Sequence, residues 1–205
     1  MFQERTLRSG GRPINTHFYD APNARRAVIW VGGIVGGFDS PARGLYPDLA
    51  KRLANNGVSS LRVRLRWPGW MPSSVLDVRA GIRFLRRQGV HDIALVGHSI
   101  GSAVVLKAAQ AERRSVRAVI SLSSLKLGAR DLEDLGGACA CLFIHGKQDA
   151  ILPARFSAQL FGFAPEPKRI RILPNAGHRL SEARPVVRRE ILSWLDAHLG
   201  PNGRA

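Results

Sequence analysis

From residue 27 onward, short apolar runs alternate with stretches whose apolar positions recur every three or four residues. Ala27-Val28-Ile29-Trp30-Val31 and Ile93-Ala94-Leu95-Val96 lack the polar alternation of a half-exposed strand, so they read as strands buried on both faces. Ser59 to Arg64, Val116 to Leu122, Ala140 to His145 and Arg169 to Leu173 complete the strand series. Between them, Leu45, Leu49 and Leu53 predict a helix over about 46–55, with Pro47 near its start and Gly57 just past its end. Val75, Val78, Ile82 and Leu85 build the apolar face of a second helix that Gly89 ends, and Ser74 with Asp77 has the form of a capping box. The run from Ala103 to Ala109, free of Gly and Pro, reads as a buried helix. Further helices are predicted near 130–135, 153–161 and 182–199.

Strands and helices alternating at this spacing are βαβ units, which demand a mostly parallel, doubly wound α/β sheet with helices on both faces. Before residue 27 the pattern is weaker, and it predicts two strands, Thr6 to Arg8 and Thr16 to Tyr19. No repeat, low-complexity segment or linker interrupts the series, so residues 1–205 are expected to form a single domain.

Composition narrows the setting. No run approaches the roughly 18 apolar residues needed to span a bilayer, and no apolar stretch follows the charges at the amino terminus. A soluble, cytoplasmic protein without a membrane span is expected. Cys139 and Cys141 occupy alternate strand positions, so both point to one face, where they read as reduced core residues rather than a disulfide or a metal site. No cofactor or metal is expected. Thirty-one Lys and Arg against fifteen Asp and Glu give a formal charge of +16. Such a field attracts polyanions. The basic residues are scattered and carry no recognition motif, so they are read as a solvated surface and no specific nucleic-acid partner is expected. No sequence pattern specifies an oligomeric state, which stays unknown.

Chemistry concentrates in three places. In Leu95-Val96-Gly97-His98-Ser99-Ile100-Gly101, a serine stands between two glycines where an apolar strand meets a helix. A sharp strand-to-helix turn strains the residue at its apex and needs glycines on either side for close approach, which lifts the Ser99 hydroxyl above the sheet at a helix N-terminus. Serine is a weak nucleophile, so it needs a base and a group that orients the base. After the strand ending at His145, the loop His145-Gly146-Lys147-Gln148-Asp149-Ala150-Ile151-Leu152-Pro153 offers Asp149, with Asp131 and Asp134 as rivals. After the last strand, Leu173-Pro174-Asn175-Ala176-Gly177-His178 offers His178. His17, His91 and His198 lack suitable context, and His145 is expected to pack or bond beneath the acid loop.

The three loops, in the order Ser, Asp, His, resemble the α/β-hydrolase superfamily over about residues 27–199, in a small form without a cap. The resemblance implies a serine hydrolase that cleaves a carboxylic ester or thioester through an acyl-enzyme, with Ser99 as nucleophile, His178 as base and Asp149 as its orienter. It also implies an oxyanion hole from the Ile100 N–H and a donor on the loop Val31-Gly32-Gly33-Ile34, where Ile34 aligns with the donor and Gly33 is the fallback. The histidine that often begins this loop is absent. Only a few residues separate Leu122 from the helix near 130, which implies an open site without a lid. Arg66, Trp67, Trp70 and Met71 follow the strand beside the oxyanion loop and are candidates to bind a small-molecule acyl substrate, with Arg66 suited to an anionic one. Two other readings stay open. One is a scaffold that binds a partner or polyanion without catalysis. The other is an acyltransferase using the same three residues.

Overall fold

The computed structural model of the chain describes residues 1–126, 132, 135, 137 and 139–199. Eight strands form one sheet in the order β1-β2-β4-β3-β5-β6-β7-β8. They are β1 Gln3–Ser9, β2 Arg12–Tyr19, β3 Arg26–Val31, β4 Ser59–Val63, β5 Asp92–His98, β6 Val116–Leu122, β7 Ala140–Gly146 and β8 Lys168–Leu173. The first two make a hairpin that joins the sheet antiparallel to β4, and the six from β3 to β8 are mutually parallel. The hairpin is longer than the two segments its sequence suggested. At the outer strand, Gln3 to Arg5 are exposed, so an inside–outside alternation shows only from Leu7.

The helices among the described residues are α1 Pro41–Ala54, α2 Met71–Arg87, α3 Ile100–Ala111, α4 Arg155–Phe163 and α5 Arg184–Leu199. Val78, Ile82 and Leu85 of α2, Val104 and Val105 of α3, and Leu160 of α4 pack with Ile29, Val31, Ile93 and Leu95 on one sheet face. Leu45 and Leu49 of α1, with Val187, Ile191 and Trp194 of α5, pack with Val28, Trp30, Ala94 and Val96 on the other. Alternate residues of each central strand therefore feed two cores, which is why the runs are apolar throughout. Each fully buried aliphatic side chain contributes about 1.5–3 kcal/mol.

Two helix starts differ from expectation. The helix over 46–55 is the regular part of α1, which begins at Pro41 and kinks through Ala42, Arg43 and Gly44, all at positive φ. That kink is tied across the chain: the Ala42 N–H donates to the Arg179 carbonyl, and the Arg184 guanidinium reaches the carbonyls of Ala42 and Arg43. The capping box is absent because α2 begins earlier, at Met71. The Ser74 hydroxyl instead donates to the Trp67 carbonyl, and Asp77 accepts from Arg66. The helix predicted near 130–135 lies mostly outside the described residues, as do Asp131 and Asp134. No helix among the described residues is long and apolar enough to cross a membrane. Cys139 and Cys141 are buried and unbridged.

Candidate active site

Ser99 stands between β5 and α3 with φ 56° and ψ −122°, a conformation that L-residues rarely adopt and that costs about 1–3 kcal/mol. Close packing enforces it. A Cβ on Gly97 would stand 2.2 Å from the Gly101 carbonyl oxygen, and one on Gly101 would stand 2.3 Å from that of Gly32. Only glycine fits at either position. The Ser99 N–H is held by the Leu122 carbonyl at 2.9 Å, and the Ser102 hydroxyl donates to the Ser99 carbonyl.

Asp149 and His178 come together across two loops. The Nδ1–H of His178 donates to Asp149 Oδ2 at 2.8 Å. The other carboxylate oxygen, Oδ1, accepts the N–H groups of Ile151 and Leu152 at 2.9 and 2.8 Å. The loops lie this close because a Cβ on Gly146 would meet the Ala176 carbonyl oxygen at 2.1 Å, while Gln148 N–H donates to that same oxygen. Burial pushes the Asp149 pKa up, but the hydrogen bonds from Leu152, His178 and Ile151 outweigh it and hold the carboxyl below its ordinary range.

The histidine loop is also moored to the elbow. His98 Nε2–H donates to the His178 carbonyl at 2.9 Å, and the two rings lie 4.9 Å apart. The Ser123 hydroxyl, at the end of β6 and at positive φ, donates to the same carbonyl at 2.8 Å. Because a carbonyl only accepts, the single proton of neutral His98 sits on Nε2. Burial lowers the His98 pKa to about 4. Arg179 adds a third tether, to Asp39 Oδ1 and the Ser40 carbonyl, each at 2.9 Å. The roles of His98, Ser123, Asp39 and Arg179 left no mark in the sequence.

Ile100 opens α3, so its N–H belongs to the first turn, whose donors find no acceptor in their own helix. Gly33 packs directly on the elbow: its Cβ position lies 3.4 Å from both Ser99 Cβ and His98 Nδ1. Ile34 follows with its side chain exposed. Beside this loop, Trp67 and Trp70 are half or more exposed, and a groove of about 610 Å³ is lined by Ile34, Val35, Arg12, Arg64 and Trp67. Met71 is partly buried against the core. Arg66 pairs with fully buried Asp77 at 2.6 Å and donates to the Ser9 carbonyl. A buried carboxylate needs such a partner, and Arg66 supplies it while also lining the groove. Among the described residues, no group of three or more His, Cys, Asp or Glu is disposed to hold a metal ion.

The phospholipase/carboxylesterase family model matches residues 78–181, half of the chain, including the Ser99, Asp149 and His178 loops. No curated protein matches the sequence. In fold the chain is similar to a dienelactone hydrolase from Anabaena variabilis, with 18% identity over 97% of this chain and 98% of that one and a TM-score of 0.83. It is likewise similar to Est1E from Butyrivibrio proteoclasticus, with 18% identity over 96% and 98% of the two chains and a TM-score of 0.80. A third likeness is to XC6422 from Xanthomonas campestris, described as an α/β serine hydrolase without a lid, with 17% identity over 95% and 93% and a TM-score of 0.69.

Proposed function

The chain belongs to the phospholipase/carboxylesterase family of α/β hydrolases, and from that membership we propose that it is a serine esterase acting through Ser99, His178 and Asp149. The observation that carries the reading is the 2.8 Å Asp149–His178 hydrogen bond, formed on a loop that His98 and Ser123 moor beside strained Ser99. His178 takes the Ser99 proton through Nε2 as the serine oxygen attacks the ester carbonyl. Asp149 holds Nδ1–H and stabilises the imidazolium that forms. The amides of Ile100 and Ile34, with Gly33 as the alternative on the same loop, receive the negative charge that grows on the carbonyl oxygen. His178 then returns its proton to the leaving alcohol or thiol, and water, deprotonated by the same imidazole, releases the acid and restores Ser99.

Trp67, with Ile34 and Val35, walls the acyl group or the leaving group on the oxyanion side, and Trp70 is exposed at an adjoining hollow that Trp67 also lines. These side chains are exposed at an open groove, which suits small or aromatic acyl esters more than long chains that require enclosure. Replacing Ser99 by Ala is expected to lower turnover of a p-nitrophenyl ester by several orders of magnitude, on the order of 10⁶ where comparable serines are removed. It should also abolish labelling by a fluorophosphonate probe. Wild-type turnover in the Ser99→Ala protein would overturn the reading. Product analysis with a competing alcohol separates hydrolysis from acyl transfer.

A further inference from the structure

His145 is fully buried, takes no part in the steps above, and yet touches the acid. Its Nε2 lies 3.0 Å from Asp149 Oδ2 and 2.9 Å from the Leu152 carbonyl oxygen. Both partners are acceptors, so this nitrogen carries the hydrogen. Burial lowers the ring's pKa, and at neutral pH it has that one N–H only. Nδ1 is therefore bare, and its contact at 2.7 Å with the Ser157 hydroxyl is one in which the serine donates.

The Ser157 hydroxyl also lies 2.7 Å from that of Ser124, and Ser124 lies 2.6 Å from Ser121. Ser121, Ser124 and Ser157 are fully buried, on the end of β6, the segment after it and α4. Three buried hydroxyls and one imidazole thus form a continuous series of contacts that ends at a single carboxylate oxygen. Asp149 Oδ2 ends as the acceptor of two imidazole N–H groups, from His145 and His178.

We propose that His145 is a positioning residue for the Asp149–His178 pair: its Nε2–H, fixed by the two acceptors Asp149 Oδ2 and the Leu152 carbonyl, keeps Asp149 presented to His178 as a bare acceptor. The proposal rests on the triad reading of the preceding subsection. A carboxylate that already accepts four N–H donors is a poor base and cannot rotate, so the Nδ1 proton stays on His178 when the imidazolium forms. The titratable groups facing this pair are Asp149 and His145 on the acid loop and His98 on the elbow; Arg179, next to His178, is paired with Asp39.

Three variants and one spectrum test it. His145→Phe removes the donor, His145→Gln keeps an N–H at the position of Nε2, and Ser157→Ala removes the hydroxyl against Nδ1 while leaving both acceptors of Nε2 in place. The expected result is a fall in kcat of up to about 100-fold in His145→Phe, as for other small misplacements of reacting groups, with KM little changed. The acidic limb of its kcat/KM profile should move to higher pH, because Asp149 with one donor fewer holds the proton on His178 more strongly. His145→Gln should recover most of the rate and the wild-type limb. In wild-type protein labelled with ¹⁵N-histidine, His145 should show a protonated Nε2 and a bare Nδ1 at neutral pH. A proton on Nδ1, or equal impairment of the Phe and Gln variants, or a wild-type rate and profile in His145→Phe, would overturn the proposal. If His145→Phe does not fold, the ¹⁵N spectra of the wild type and of Ser157→Ala decide, both expected to keep the proton on Nε2. The spectra do not depend on turnover, whereas full activity in Ser99→Ala would sink the triad and leave the tautomer result standing.

Discussion

At the scale of single residues, the side chains proposed to react were readable because chemistry restricts them to a few types at strand ends, and glycines mark the sharp turn around one of them. Ser99 is held at positive φ by the impossibility of a Cβ at Gly97 or Gly101, and that pressure is written in the sequence as two glycines. Its neighbour His98 is different. Its bond to a carbonyl eighty positions away depends on where the histidine loop lands, which no local pattern encodes. The burial of His98 has a measurable consequence, against which the bond itself works by favouring the protonated ring. An unfolded histidine begins to protonate near pH 6.5, whereas buried His98 resists until about pH 4. Below pH 6.5 the unfolded chain therefore binds the additional proton, so stability is fully present above pH 6.5 and is lost as pH falls toward 4. At about 1.4 kcal/mol per unit the loss is about 3 kcal/mol. His98→Gln keeps a donor for the His178 carbonyl and removes the titration. Urea midpoints of the two proteins should converge as pH falls from 7 to 4.5, and parallel curves would contradict the assignment.

At the scale of elements, the central strands and the helix faces were legible because burial on two sides or one leaves a period in the sequence. Helix starts were not. The capping-box spacing of Ser74 and Asp77 was present, but both side chains serve the preceding loop, Ser74 through Trp67 and Asp77 through Arg66. The kink at Ala42 to Gly44 is imposed by Arg179 and Arg184, more than 130 residues away in the chain. The ion pair of Arg66 with the buried Asp77 carboxylate was hidden from the sequence for the same reason. The acid and histidine loops show the converse, a distant contact that did leave a trace, as Gly146. With a Cβ there 2.1 Å from the Ala176 carbonyl oxygen, Gly146→Ala must push the two loops apart. The main cost is a lengthened Asp149–His178 bond, with overpacking adding about 1–3 kcal/mol. Esterase kcat should fall further than thermal stability predicts, and an alanine variant with wild-type kcat would show that the loops tolerate separation.

At the scale of the whole molecule, the parallel sheet with two helical layers follows from the alternation of runs, and the similar solved folds agree with it. The charge acquires a meaning that composition alone did not give. Of fifteen acidic residues, Asp39, Asp48, Asp77, Asp92, Glu112 and Glu190 are each engaged by an arginine, so much of the negative charge is neutralised locally. The remaining arginines are left in excess, and two of them, Arg12 and Arg64, line the groove beside the loop that carries Ile34. A field of this sign raises the local concentration of negatively charged esters at the mouth of the site without any dedicated binding pocket. The attraction acts through solvent, so it fades once the screening length drops below about 5 Å, near 0.5 M salt. For an anionic ester, kcat/KM should fall several-fold between low salt and about 0.5 M, while kcat stays constant. A neutral ester of the same size should show no such slope. Neutralising Arg12 and Arg64 together should flatten the response for the anionic ester if the groove is where substrates arrive. An undiminished slope in that double variant would place the attraction elsewhere on the surface and separate the protein's charge from its chemistry.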